Sequence, residues 1–175
     1  MGKFLAAVIV VSALLAGAGI YYFQVYGYYD EVVPTGDDVY LTDKAGEAVR
    51  IPYEDFEAID AYSSPIRYRA CFRTSLSLEE MSEGFQPYAK PVPLQAPYWF
   101  GCYEADGIGE ALEAGKAQAF LSVENIHYGI DRVVAIFPDG HGYAWHQINH
   151  CGEVVFDGQP APEGCPPPPE GTARQ

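Results

Sequence analysis

"RVVAIFPDGHGYAWHQINHC", residues 132–151, carries three of the chain's four histidines, one of its two tryptophans and one of its four cysteines. Its centre, Phe137-Pro138-Asp139-Gly140, suits a type I turn closed by a glycine in the left-handed conformation, the three-residue hairpin loop. Such a turn fixes the pairing: Phe137 opposite His141, Val133 opposite Trp145, Asp131 opposite Gln147. One face then holds Ile130, Arg132, Val134 and Ile136 with Ala144, His146, Ile148 and His150. The other holds Val133, Ala135 and Phe137 with Tyr143 and Trp145, and turns polar at Asp131, Gln147 and Asn149. A strand apolar on both faces belongs in the middle of a sheet with a layer on each side.

The same register governs the histidines. His146 and His150 have the four-residue spacing that places two imidazoles on one helical face, but on a strand four positions span roughly 13 Å. Two nitrogens that must each lie about 2 Å from one zinc ion do not fit that distance. One pair survives: His127 faces Cys151 in this register, a candidate metal pair with no third or fourth ligand in view. It carries the alternative of a periplasmic metal-binding accessory protein; no cofactor is otherwise implied. Arg132 opposite His146, with Asp131 beside it, forms a candidate ligand pocket. Ser63 and Ser64, near Asp60, suggest a small hydrolase only weakly, since no G-x-S-x-G elbow is present.

Working outward, "VYLTDKAGEAVRI" (39–51) reads as two short strands around a turn, and "DFEAIDAY" (55–62) alternates weakly. "SSPIRYRACFRTS" (63–75) predicts a strand opened by Pro65, with Ile66, Tyr68, Ala70 and Phe72 on one face. Arg67, Arg69 and Arg73 share the opposite face with Cys71 and are expected to meet the surplus of carboxylates. Ser77-x-x-Glu80 is a capping-box pattern for a short helix, and Asp106 is the expected N-cap of a second over "DGIGEALEAG". Between them "QPYAKPVPLQAP" (86–97), with four prolines in twelve residues, is loop, and "YWFGCYEA" (98–105) is expected to be a strand. The expected fold class is α+β, a largely antiparallel sheet with two short helices, preceded by one transmembrane helix.

That helix is "FLAAVIVVSALLAGAGIYYF", Phe4–Phe23, 20 residues without a charge and about 30 Å long as a helix. Lys3 precedes it, and Asp30, Glu31, Asp37 and Asp38 follow, so the positive-inside rule predicts a cytoplasmic N-terminus and an exported body. Tyr21, Tyr22, Phe23, Tyr26, Tyr28 and Tyr29 suit the outer interface. Ala16-Gly17-Ala18 resembles a signal-peptide cleavage site, but the apolar run continues past it, which favours an uncleaved signal anchor. Ala13-x-x-x-Gly17 supports at most weak self-association of such helices. Residues 24–175 hold nine Lys and Arg against 24 Asp and Glu, a formal charge of −15, which argues against nucleic acid as a partner.

Export makes disulfides the default for Cys71, Cys102, Cys151 and Cys165, and no C-x-x-C is present. Cys71 and Cys102 fall in predicted strands of one domain, while Cys151 ends the histidine strand near Cys165 in the tail, so the expected pairs are Cys71–Cys102 and Cys151–Cys165. The expected division is an anchor with aromatic belt (1–29), an α+β domain (30–158) and a flexible tail (159–175) that holds six of the fourteen prolines.

Taken with the anchor, "SSPIRYRACF", "PYWFGCY" and "GIDRVVAIFPDGHGYAWHQIN" resemble an uncharacterised family of small, membrane-anchored alphaproteobacterial proteins of Rhodobacter type, a domain-of-unknown-function group. That resemblance implies no catalytic residue. Some of its members carry an automatic histidine kinase label, which nothing here supports, since no Gly-rich nucleotide lid is present. The functional expectation is a non-catalytic, single-pass protein of the bacterial inner membrane. Its acidic, disulfide-stabilised periplasmic domain would meet an envelope protein or a small ligand.

Overall fold

The computed structural model describes residues 1–171; the last four residues of the tail, 172–175, lie outside the described residues. The elements in chain order are α1 (Gly2–Tyr22), continued by a π-helical turn (Phe23–Gly27), β1 (Asp30–Glu31), β2 (Tyr40–Thr42), β3 (Ala48–Arg50), β4 (Glu54–Asp60), β5 (Arg69–Arg73), α2 (Leu78–Gly84), α3 (Ala105–Glu113), β6 (Gln118–His127), β7 (Ile130–Ile136), β8 (His141–Ile148) and α4 (His150–Phe156). Six strands form one antiparallel sheet in the order β1-β4-β5-β8-β7-β6, and β2 and β3 form a separate ribbon. The chain is α+β with an N-terminal apolar helix.

The β7–β8 hairpin has the expected register: Val133 pairs with Trp145, Asp131 with Gln147 and Arg132 with His146. Its turn is closed by Gly140, at φ +86°. Both faces are covered. Val134, Ile136 and Ala144 join Tyr68, Ala70 and Phe72 beneath Met81 of α2 and Leu41 of β2. Val133, Ala135 and Trp145 join Cys71 beneath Ile108 of α3, with Phe100 and Tyr103 of the preceding loop. Burying large side chains such as Trp145 and Phe120 completely contributes about 1.5–3 kcal/mol each.

Three local readings are corrected. "YWFGCYEA" is a chain of turns running into α3, not a strand, with Phe100 N–H bonded to Pro97 O and Tyr103 N–H to Phe100 O. The segment is tied to β5 by the Cys71–Cys102 bridge, but both edges of β5 are already taken, by β4 and β8, so it covers the sheet face there instead. Glu104, not Asp106, caps α3 by accepting from the Asp106 and Gly107 amides, while Asp106 accepts from Gln95. A third short helix in the body, α4, follows β8. Asn149 N–H closes the ladder on Gly129 O, and the Asn149 side chain then caps α4 through Gly152 N–H. The close crossing of Gly129 and Gly152 explains both glycines, since a Cβ on Gly152 would lie 2.2 Å from Gly129 O.

Candidate functional site

The strand pairings gather a polar cluster at one end of the sheet. Arg132 on β7 lies beside His146 on β8, and Tyr68 enters β5 next to them. Arg132 Nε donates to His146 Nε2 at 3.0 Å, and its guanidinium lies 3.9 Å from the centre of the Tyr68 ring. His146 stacks on the same ring at 4.8 Å. Its Nδ1 lies 2.7 Å from the Pro65 carbonyl, which can only accept, so this nitrogen carries the proton and His146 is the neutral Nδ1–H tautomer.

Burial and the neighbouring Arg132 push the His146 pKa down to about 3, and burial pushes the Tyr68 hydroxyl up to about 12. With both nitrogens engaged and only 2 % of its surface exposed, His146 has no lone pair or proton to offer a substrate at neutral pH. It is a clamp that ties the 61–68 loop to the sheet.

Asp131 does not belong to this group. Strand alternation sends it to the opposite face, where it accepts from Tyr88 Oη, Asn125 N–H and Asn149 Nδ2 at 3.0, 2.9 and 2.6 Å. Beside it Gln147 accepts from Val92 N–H and donates to Lys90 O, so this face binds the proline-rich loop. The expected pocket of Arg132, His146 and Asp131 is therefore two separate structures.

The His127–Cys151 metal pair is also overturned. Once Asn149 ends the ladder, Cys151 lies in α4 and is bonded to Cys165, leaving no thiolate. His127 turns to His146 instead, edge-on at 6.1 Å. Among the described residues no group of three or more His, Cys, Asp or Glu is placed to hold a metal ion. The serines form no triad: among the described residues no hydrogen bond links Ser63 or Ser64 to a histidine, and Asp60 accepts from the Ala61 amide.

The arginines depart from expectation as well. Arg69 is 4 % exposed and gives its guanidinium to four backbone carbonyls, those of Ile66, Tyr68, Leu94 and Gln95, rather than to a carboxylate. Arg67 lies over Tyr28 and Tyr29, and Arg73 lies near the His141 ring.

Open surface begins just beyond the clamp. Two cavities, of about 730 and 460 Å³, are both lined by Pro65 and the exposed His127. The larger is apolar, built from Ile66, Ile130, Ile148 and Phe156. The smaller is acidic, with Asp30, Glu31 and Asp60. The tail reaches the apolar cavity: Tyr128 Oη donates to Pro166 O at 3.1 Å, and Glu170 and Gly171 line the far wall. Sequence reasoning found His127 but not this setting, because Pro65, Phe156 and Glu170 are brought together only by the fold.

Residues 39–166 match the model of a family of unknown function, DUF6446. The chain belongs to that family. The match runs from just before β2 to just past the second disulfide, so the shared unit is the bridged domain without the apolar helix. No curated protein and no solved structure matches the chain.

Proposed function

We propose that this is a single-pass protein of the bacterial inner membrane, whose periplasmic domain is a non-catalytic binding module. The partner groove is formed by the two cavities that meet at Pro65 and His127. The observation that carries this reading is the groove itself, an apolar half and an acidic half on either side of an exposed imidazole. It suits an extended segment of an envelope protein, or a small ligand, that has an apolar portion next to a cation. The chain's own tail already uses one wall, with Glu170 and Gly171 lining it and Pro166 O accepting from Tyr128, as an extended peptide would.

Export is supported by the Gly2–Gly27 helix, long and apolar enough to cross a membrane, and by the bridges Cys71–Cys102 and Cys151–Cys165, which call for an oxidising compartment. Lys3 ahead of the uncharged stretch Phe4–Phe23 and Asp30 and Glu31 after it support an inward N-terminus.

Photo-crosslinking in intact cells tests the groove. A benzophenone side chain at position 127 should capture a partner that the same group at Val49, on the exposed β3, does not. Equal capture from both positions, or none from either, would remove the groove as the binding surface.

A further inference from the structure

The end of the apolar helix is built into the domain. Trp99, in the loop before α3, donates its indole N–H to the carbonyl of Val25 at 2.7 Å, satisfying one of the acceptors a helix end leaves open. The Trp99 ring stacks on Tyr26 and meets Tyr29 edge-on, and Tyr26 and Tyr98 touch through their hydroxyls. Only Tyr28 and Tyr29 separate the helical turn from β1. The helix and the domain are thus joined without a linker.

Chain geometry then carries the domain to the bilayer. Val25 lies two residues past the apolar run Phe4–Phe23, which Gln24 ends, about 3 Å along the axis. A ring bonded to Val25 lies at headgroup depth, where Trp and Tyr rings settle. Tyr98, packed on Tyr26, is 70 % exposed. At the same level Arg67 lies 5.5 Å from the Tyr29 ring centre and 6.0 Å from that of Tyr28. Its Nη1 is buried without a hydrogen-bond partner. The two ion pairs among the described residues, Arg50–Asp37 and His141–Asp139, do not involve it. The other guanidinium nitrogens are not closed off in this way, and a cation beside two tyrosines with no carboxylate partner among the described residues matches a phosphate oxygen.

Resting on the membrane-anchor reading, the geometry points to a lipid-binding face: Trp99 and Tyr98 seat the domain on the outer leaflet of its own membrane, and Arg67 takes a lipid phosphate there. The test uses the full chain in phosphatidylcholine vesicles with bromine on the acyl carbons nearest the headgroup. Most of the Trp99 emission should be quenched, while Trp145, with no exposed surface, keeps its emission in the Trp99→Phe chain. A chain retained by the vesicles after alkaline wash with Trp99 unquenched would overturn the seating alone. A chain washed off would overturn the anchor and the seating with it. For Arg67, the guanidinium carbon of the labelled chain should be dephased by lipid phosphorus in solid-state NMR, and Arg67→Gln should abolish that component. Dephasing that is absent, or that persists in Arg67→Gln, would remove the phosphate from the assignment.

Discussion

The β7–β8 hairpin and the 85–104 loop contain similar residues, rich in aromatics and each with a cysteine nearby, yet they are held by opposite means. In the hairpin one turn sets the register, and every later contact follows from alternation along the strands. The loop has little local order. It is held from outside by the Arg69 guanidinium on Leu94 and Gln95, the Gln147 side chain on Lys90 and Val92, the Cys71–Cys102 bridge and the short bridges of Phe85 to Asp43, just past β2, and of Pro87 to Phe120 in β6. Local chemistry specifies the first region, and distant single groups specify the second. Damage to the hairpin should therefore act on the whole fold, and damage to the loop's ties should release the loop.

The largest expected effect tests the hairpin side. Trp145→Ala should cost about 3–5 kcal/mol in urea unfolding, because its ring is fully buried between β7, β5 and the α3 layer. A cost under about 1 kcal/mol would mean that the pairing with Val133 is wrong. Replacing Cys71 and Cys102 together by alanine reopens a loop of 31 residues and should cost about 3–4 kcal/mol by chain entropy. The early signature should be proteolysis between residues 85 and 104, before β7 and β8 lose protection.

Arg69→Met keeps the stem but strips four carbonyls of their donor, for an expected loss of about 2–3 kcal/mol with the same proteolytic signature. Uniform loss of protection in the two regions would break the contrast between them.

The His146 clamp gives a pH test. Its folded pKa is near 3 against an ordinary value of 6.5, so between those values the unfolded chain binds a proton that the folded chain refuses. Its contribution is complete above about pH 6.5 and is lost as the pH falls toward 3, at up to about 1.4 kcal/mol per unit. His146→Gln should flatten this part of the stability profile between pH 6 and 4, and an unchanged slope would place the titration elsewhere. The smallest effect belongs to the turn, where His141 meets only the exposed Asp139 and Arg73. There His141→Ala should shift stability by less than about 0.5 kcal/mol.

Legibility in the sequence follows the same division. Turn chemistry and strand alternation suffice to place the hairpin, the faces of β5 and both halves of the Ser77–Glu80 capping box. The pairing Cys71–Cys102 and Cys151–Cys165 coincides with the one that their positions along the chain suggest. Tyr98–Ala105 reads as a strand because aromatic residues favour strands, but propensity does not reveal whether a sheet edge is free to receive them. The metal pair fails for a similar reason: extending the register past Ile148 puts Cys151 opposite His127, whereas Asn149 ends the strand there and caps α4.

By itself the sequence determined the apolar helix, the α+β class and the core hairpin with its register, because each is set by the local pattern of apolar, polar and turn residues along the chain. Tertiary structure alone decided that Arg69 serves backbone carbonyls, that Arg132 and Asp131 part company, that His146 is neutral and closed to solvent, and that Trp99 caps the apolar helix. Leu94 and Gln95 for Arg69, Pro65 for His146 and Val25 for Trp99 are distant partners met through a backbone carbonyl, and backbone carbonyls, present at every residue, leave no mark in a sequence.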